Sequence, residues 1–279
     1  MSGWAGMALA LRGPADDALG SRLPTYLHPV AGRSLSWHVL RAMFDTEEPA
    51  DSVTLLSDQD VGTEIVGELP ARVVRADPEP AEAWREVIGE LGAGVASVLV
   101  VDAAAAVLGP ALRDLAAGPV GRRIRAASGE TLAAWIDAAR ARAVETPDLE
   151  ILGQGLKDVS GNMGGIDFRV RDRVSLVRAA ALIRARLVER LTERGATFLA
   201  PATVVVDVDV TIGPDTVIYP AVVLEGDTSI GSESVIGPGC RLVDAQVGSG
   251  VELKGWNYIV RARIRNRAVL EPYVRRGFE

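Results

Sequence analysis

Between residues 200 and 274, aliphatic side chains recur at every sixth position: Val206, Ile212, Ile218, Leu224, Ile230, Ile236 and Leu242. Four residues after most of them stands a small or β-branched residue, as at Thr216, Val222, Thr228, Ser234 and Cys240. Gly or Gly-Pro often follows the aliphatic residue, as in Ile212-Gly213-Pro214, Ile230-Gly231 and Ile236-Gly237-Pro238. A helix repeats at 3.6 residues and a strand at 2, so neither produces this spacing; a hexapeptide β-helix does. Each six-residue unit then forms one flat face of a triangular prism. The aliphatic residue points to the axis, the small residue fits beside it, and Gly is expected to turn the corner. The period slips but persists at Val247, Leu253, Ile259, Ile264 and Leu270, which gives roughly three and a half coils of three units each. The coil is expected to be left-handed, against the usual crossover rule. Regular turns in a β-sandwich would not keep so many aliphatic positions in one register. Flat faces and open ends are commonly buried by trimerisation. Trp256 and Tyr258 read as interruptions of the repeat.

Upstream the pattern changes to apolar runs alternating with amphipathic stretches. Strands are predicted at 7–11, 53–56, 72–75 and 97–101, and helices at 81–91, 111–117 and 131–143. A further helix should start at the N-cap Ser34 and run through Trp37, Val39, Leu40 and Met43. This rhythm predicts a parallel α/β sheet. Residues 153–165, with Ser160 and Asn162, read as a Gly-rich loop or hinge. A helix over 175–193 places Leu176, Ala180, Ile183, Leu187 and Leu191 on one face, and Gly195 ends it. The predicted organisation is an α/β, Rossmann-like domain at 1–170, a linker helix at 171–199 and a left-handed parallel β-helix at 200–279.

Composition narrows the function classes. The chain has 279 residues, room for two domains, with 48% hydrophobic and 24% charged residues. No apolar run is long enough to span a membrane, and the start lacks a charged signal-peptide region. Cys240, the single cysteine, sits at a small-residue position of the repeat and reads as packing, which fits a cytoplasmic protein without disulfides. A net charge of −7 makes no electrostatic case for nucleic acid. Of the 30 basic residues all but Lys157 and Lys254 are Arg, a bias that suggests a GC-rich genome more than a function.

Two stretches carry a family resemblance. Residues 23–40, LPTYLHPVAGRSLSWHVL, resemble the start of bacterial sugar-phosphate nucleotidyltransferases, most closely the bifunctional N-acetylglucosamine-1-phosphate uridyltransferases/glucosamine-1-phosphate acetyltransferases. Residues 172–277 are similar to the linker helix and early β-helix of the same enzymes. The best-matching pieces are Asp172-Arg173-Val174, Ala200-Pro201-Ala202-Thr203 and Gly213-Pro214-Asp215-Thr216-Val217-Ile218-Tyr219-Pro220. Together these cover about half of the chain; residues 51–165 are similar only in their strand-helix rhythm and are shorter than the family's.

The resemblance implies a reduced nucleotidyltransferase domain. In the family, a sugar-1-phosphate oxygen attacks the α-phosphate of a nucleoside triphosphate and pyrophosphate leaves. That chemistry needs a Gly-rich phosphate cradle, cationic side chains and Mg²⁺. The resemblance places the vestige of such a site at Leu11, Gly13, Thr25, Asp102 and Arg171. This chain departs from the family there. Asp16, Asp17 and Ala18 stand where the family has Gly-Thr-Arg, so two carboxylates face a triphosphate. Thr25 replaces a Lys, Glu79-Pro80-Ala81 falls at a Gly-Thr-Gly turn, and Arg171 replaces a metal-binding Asn. The family's other metal ligand, an Asp, falls by direct count on Ala104, with Asp102 nearby; the bland reading of Asp102 is a strand-end carboxylate capping a loop.

Other residues have ordinary readings beside sharper ones. His28 reads as structural and His38 as a packed or half-exposed helix residue. Trp256, Tyr258, Arg261, Arg263 and Arg265, with Arg267, are candidates for a partner surface; a solvated face is the alternative. Family acetyl transfer uses coils beyond the point matched by residues 272–277, so that activity is expected to be absent. The leading functional reading is a catalytically silent homologue, without a cofactor, serving as a homotrimeric scaffold or regulatory subunit for a protein partner. Two alternatives are a divergent Mg²⁺-dependent enzyme that makes a nucleotide-sugar and a nucleotide-sugar sensor. No membrane or nucleic-acid partner is expected.

Overall fold

The protein is described by a computed structural model covering residues 3–11, 19–61, 65–77, 79–106, 109–159 and 168–277. It divides into two compact units. The first is Met1–Pro29 with Ser34–Ala179, and the second is Val30–Arg33 with Ala180–Glu279.

The first unit is built on β1 (Gly3–Ala10). Next along the chain is a short ribbon, β2 (Pro29–Val30) and β3 (Arg33–Ser34), whose turn at Ala31 and Gly32, both at positive φ, belongs to the second unit. Next come α1 (Leu35–Phe44), β4 (Ser52–Ser57), β5 (Ala71–Arg75), α2 (Pro80–Gly89), β6 (Val95–Asp102) and α3 (Gly109–Ala116). The order continues with β7 (Arg122–Arg125), β8 (Thr131–Asp137), α4 (Ala138–Ala143), α5 (Leu149–Gly153) and β9 (Lys157–Asp158). The sheet order is β5-β4-β1-β6-β8-β7-β9. Strands β1, β4, β5 and β6 pair in parallel, with Ala8 opposite Leu55 on one side and Val101 on the other. The core cluster includes Met7, Leu9, Trp84, Val98, Val100, Ala134 and Ile136. Ser34 caps α1 as expected, its Oγ accepting from Trp37 N at 3.1 Å. Pro80 opens α2, where a missing N–H costs nothing.

Two expectations fail here. The sheet is mixed, because β8 runs antiparallel to both β6 and β7. The helix expected over 131–143 is confined to Ala138–Ala143, and Thr131–Asp137 is a strand. Every residue of that strand except Asp137 is buried. A strand covered on both faces shows an unbroken apolar run, which periodicity alone does not separate from a buried helix. Pairing of 133–136 with 98–101 overrides the helical preference of its alanines. Asp137 then caps α4, with Oδ1 accepting from Arg140 N at 2.7 Å.

The helix α6 (Arg173–Glu193) crosses the division between the units. Gly195 ends it at φ +100°, as predicted, and Ala196 N donates back to Leu191 O at 3.1 Å.

In the second unit, three parallel sheets of five, five and four short strands enclose an axis. The first face stacks Thr197–Phe198, Val217–Ile218, Val235–Ile236, Glu252–Leu253 and Val269–Leu270. The register steps by 18 residues in the early coils (Val217 to Val235) and by 17 later (Val235 to Glu252). The slip in the aliphatic period is therefore one residue dropped per coil, at the turn between Leu242 and Val247 and again between Ile259 and Ile264. All seven aliphatic positions are buried, and the small residues Thr216, Val222, Thr228, Ser234 and Cys240 have no exposed surface. The hydroxyls staple successive coils. Thr216 Oγ1 donates to Gly231 O at 2.7 Å and accepts from Ser234 N; Ser234 Oγ donates to Gly248 O and accepts from Val251 N. Cys240 is packing, and burial pushes its thiol pKa up.

The corners correct the sequence reading. Gly213 and Gly231, directly after the aliphatic residue, are not among the positive-φ residues. They are needed because the next coil passes close: a Cβ on Gly231 would lie 2.6 Å from Ser249 N. The left-handed turn falls two residues later, on Asp215 and Glu233 among others. Gly231→Ala is therefore expected to cost roughly 1–3 kcal/mol through steric overlap, while Glu233→Gly leaves stability unchanged or raised. Urea midpoints of the two variants in the opposite order would overturn this assignment.

Candidate functional site

In open α/β sheets, ligands sit beyond the carboxyl ends of the parallel strands. Here those ends bring Leu11, Ser57-Asp58, Ala76 and Asp102 to one edge of the first unit. Gly13, together with Asp16, Asp17, Ala18, Ser160 and Asn162, lies outside the described residues. Leu11 is half-buried and packs against the core cluster.

Asp102 ends β6. Its Oδ1 accepts from Ala104 N at 2.7 Å, the loop-capping role read from the sequence. Its Oδ2 lies 2.7 Å from Arg169 Nε, and the two side chains are only 15% and 14% exposed. The approach is close enough for an ion pair but too oblique to be a good hydrogen bond for that N–H. Backbone bonds from Val170 N to Ala104 O and from Ala106 N to Phe168 O bring residues 168–170 against this loop. Arg171 points its charge elsewhere, in an ion pair with Glu130. Asp102 and Arg171, singled out together from the resemblance, are thus each neutralised by a different partner. Asp172 caps α6, and hydrogen bonds from Ser175, the backbone one foremost, hold its carboxyl below the usual range.

Thr25 occupies a 3₁₀ turn, Thr25–Leu27, and is almost fully buried; its Oγ1 has no hydrogen-bond partner among the described residues. It offers no solvent-facing group where the resemblance calls for a cation. His28 is buried beside it, with Nε2 unpaired among the described residues. His38 is half-buried, edge-on to Trp37 at 5.2 Å. Glu79-Pro80-Ala81 is a helix start, with Glu79 O accepting from Glu82 N and Ala83 N.

Sequence reasoning missed three residues at this edge: Tyr26, Asp58 and Arg169. The Tyr26 hydroxyl donates to Asp58 Oδ1 and lies 3.4 Å from Ser57 Oγ. The signal that could have found Asp58 is its place directly after the apolar run of β4, at a strand carboxyl end. Among the described residues, no group of three His, Cys, Asp or Glu side chains is placed to hold a metal ion.

In the second unit, Trp256 and Tyr258 do not interrupt the repeat. Between them Asn257 takes the buried small-residue position above Cys240, and Ile259 reaches the axis. Trp256 occupies a left-handed corner (φ 55°), its ring covering Gly239 of the preceding coil while the residue stays 56% exposed. The Arg241 guanidinium lies 5.3 Å from the Tyr258 ring centre. Arg261, Arg263, Arg265 and Arg267 are all exposed, as expected, with Arg261 and Arg267 at corners and Arg263 donating to Gln246 Oε1.

Asp207 shows a different balance. Burial is the main cause that raises its carboxyl pKa, with Glu225 and Asp209 adding to it, while the bond from Gly226 N and the charge of Arg184 oppose it. A carboxyl raised in the folded state favours folding when protonated, and that contribution is lost as pH rises through the folded value. Asp207→Asn should therefore raise the unfolding midpoint at neutral pH, with the gain vanishing below the ordinary carboxyl value of 3.8. A gain of the same size at pH 3 and pH 7 would contradict the assignment.

Residues 209–243 match the family model described as Bacterial transferase hexapeptide (six repeats). With the Rossmann-like first unit, this makes the fold an α/β domain followed by a left-handed parallel β-helix. The chain is 42% identical over 110 residues to the Bifunctional protein GlmU of Acetivibrio thermocellus, covering 39% of this chain and 24% of that protein. It is 35% identical over 124 residues to the Bifunctional protein GlmU of Thermoanaerobacter pseudethanolicus, covering 42% of this chain and 27% of that one. The match spans about a quarter of the length of these relatives. Among solved structures, a nucleotidyl transferase from Methanothermobacter thermautotroptrophicus covers 63% of this chain and 95% of its own, at 16% identity and a TM-score of 0.47. Over about two-fifths of its length the chain is thus similar to the GlmU proteins.

Proposed function

We propose that this chain is a catalytically silent relative of the sugar-1-phosphate nucleotidyltransferases, working as a trimeric scaffold or regulatory subunit. The observation that carries the reading is the engagement of Asp102. Both of its oxygens are occupied, one by Ala104 N and one by Arg169. A carboxylate neutralised by a guanidinium is a poor ligand for a hard cation, and Arg171 cannot ligate one at all. The described residues therefore do not fit Mg²⁺. The buried Thr25 supplies no charge to a triphosphate. Asp16 and Asp17, by their sequence position, would repel one.

The second unit supports the assembly half of the proposal. Trp256 and Tyr273 stack in successive coils at one corner of the β-helix and are 56% and 73% exposed. Apolar side chains stacked in this way are suited to burial between copies. Light scattering at micromolar concentration is expected to give three times the 29.5 kDa chain mass; a monomer would remove the scaffold reading. Calorimetric titration with UTP is expected to show no saturable binding that depends on Mg²⁺.

A further inference from the structure

A cavity of about 290 Å³ opens at the end of the first unit's sheet opposite the strand carboxyl ends. It is lined by Trp4, Ser97 and Trp135, with Glu47, Glu48 and Arg113 among its polar residues. The register explains why the space exists. Trp4 near the start of β1 pairs with Ser97 of β6, and Trp135 of β8 pairs with Leu99, two positions further along the same face. The small Ser97 therefore lies between two indoles and leaves a floor that a larger side chain would fill. The indoles meet edge to face, with centres 5.6 Å apart at 86°. Both ring N–H groups are already spent on carbonyls, Trp4 on Glu48 O at 2.9 Å and Trp135 on Gly118 O at 3.2 Å. The rings are thus held in place and, though only 6% and 5% exposed, line the cavity.

The charges around this floor are not paired with one another. Arg113 reaches only the Asp45 carbonyl, at 3.5 Å, and no carboxylate among the described residues lies within ion-pair distance of it. Glu47 and Glu48 have no cationic partner among the described residues either. A guanidinium and two carboxylates therefore line one cavity without pairing, with two largely buried indoles beside them. We propose that this is a second ligand site, taking a free α-amino acid with an apolar side chain. The carboxylate would sit on the Arg113 fork, which suits a two-bond contact. The ammonium group would face Glu47 and Glu48, and the side chain would lie against the two indoles. The volume lies just below the ordinary ligand range of about 300–1,000 Å³, room for a small zwitterion and too small for a nucleotide-sugar.

The test is calorimetric titration of the full chain with L-leucine and L-phenylalanine. Two single-charge analogues of leucine run beside them: 4-methylpentanoate, which lacks the ammonium, and isopentylamine, which lacks the carboxylate. Saturable binding of an amino acid is expected, at least about tenfold tighter than either analogue, since a hydrogen bond to a charged group is worth about one decade or more. Arg113→Met, which keeps the side-chain stem, and the pair Glu47→Gln with Glu48→Gln should each weaken binding about tenfold. Ser97→Leu should abolish it by filling the floor. Unchanged far-ultraviolet circular dichroism and unfolding midpoint in Arg113→Met keep the test independent of folding. No saturation by either amino acid at millimolar concentration, or affinity equal in wild type and Arg113→Met, would overturn the proposal.

Discussion

Ile236→Asp is expected to destabilise the β-helix by on the order of 4 kcal/mol, where Val235→Asp, one residue away, should change it by less than about 0.5 kcal/mol. Ile236 has no exposed surface and is stacked between Ile218 of the coil before and Leu253 of the coil after. A carboxylate there meets aliphatic carbon above and below. The nearest repeat hydroxyls, on Thr216 and Ser234, are already committed to carbonyls of neighbouring coils. Removal of the isobutyl-sized side chain leaves a void, and an unpaired charge adds a desolvation cost. The chain can relieve that cost by protonating the carboxyl or by opening the coil. In a solenoid each coil contacts only its neighbours, so an opened coil also removes support from those on either side. Val235 points outward from the same strand and is partly exposed, so the same charge there remains hydrated. Urea unfolding followed through Trp256, the single tryptophan of the repeat region, reads the difference. Equal midpoints for the two variants would mean that the inward and outward positions have been exchanged.

The β-helix was legible because its geometry leaves a strict trace. Closing a three-faced prism requires an aliphatic residue at every face, and that residue recurs from Val206 to Ile264 with only the dropped turn residues disturbing it. The reason for each Gly was not legible. A glycine after Ile230 suggests a turn, yet what it relieves is the approach of Ser249, a residue in another coil whose distance no local pattern encodes. The strand Thr131–Asp137 was misread for a related reason, since burial on both faces erases the period that separates strand from helix. At the strand ends, Asp102 could be picked out by position, but its partner Arg169 could not. That pair is made by a return of the chain past residues 103–106, a long-range contact with no periodic signature. Tyr26 and Asp58 meet in the same way. The family resemblance directed attention to Arg171, where the cation beside Asp102 is Arg169, two residues earlier.

If the chain is catalytically silent as proposed, it does not transfer nucleotidyl groups. A nucleoside triphosphate needs its charge neutralised and its α-phosphate held in line, mainly by cations and backbone donors. Loss of one such transition-state donor costs on the order of 10²–10³ in rate. Here the losses are several: Thr25 is buried and neutral, Asp102 is tied to Arg169, and Arg171 is tied to Glu130. Arg171 is the more exposed member of its pair, at 44%, so it is the residue best placed to turn toward a phosphate. Even then it would supply charge and no metal ligand. The most direct measurement is pyrophosphate release from each of the four common nucleoside triphosphates with Mg²⁺. Each is offered glucose-, glucosamine- and N-acetylglucosamine-1-phosphate in turn. No release above the protein-free background is expected for any pair. Turnover at an ordinary enzyme rate of about 1 s⁻¹ or more, abolished by Asp102→Asn or by Arg171→Ala, would contradict it.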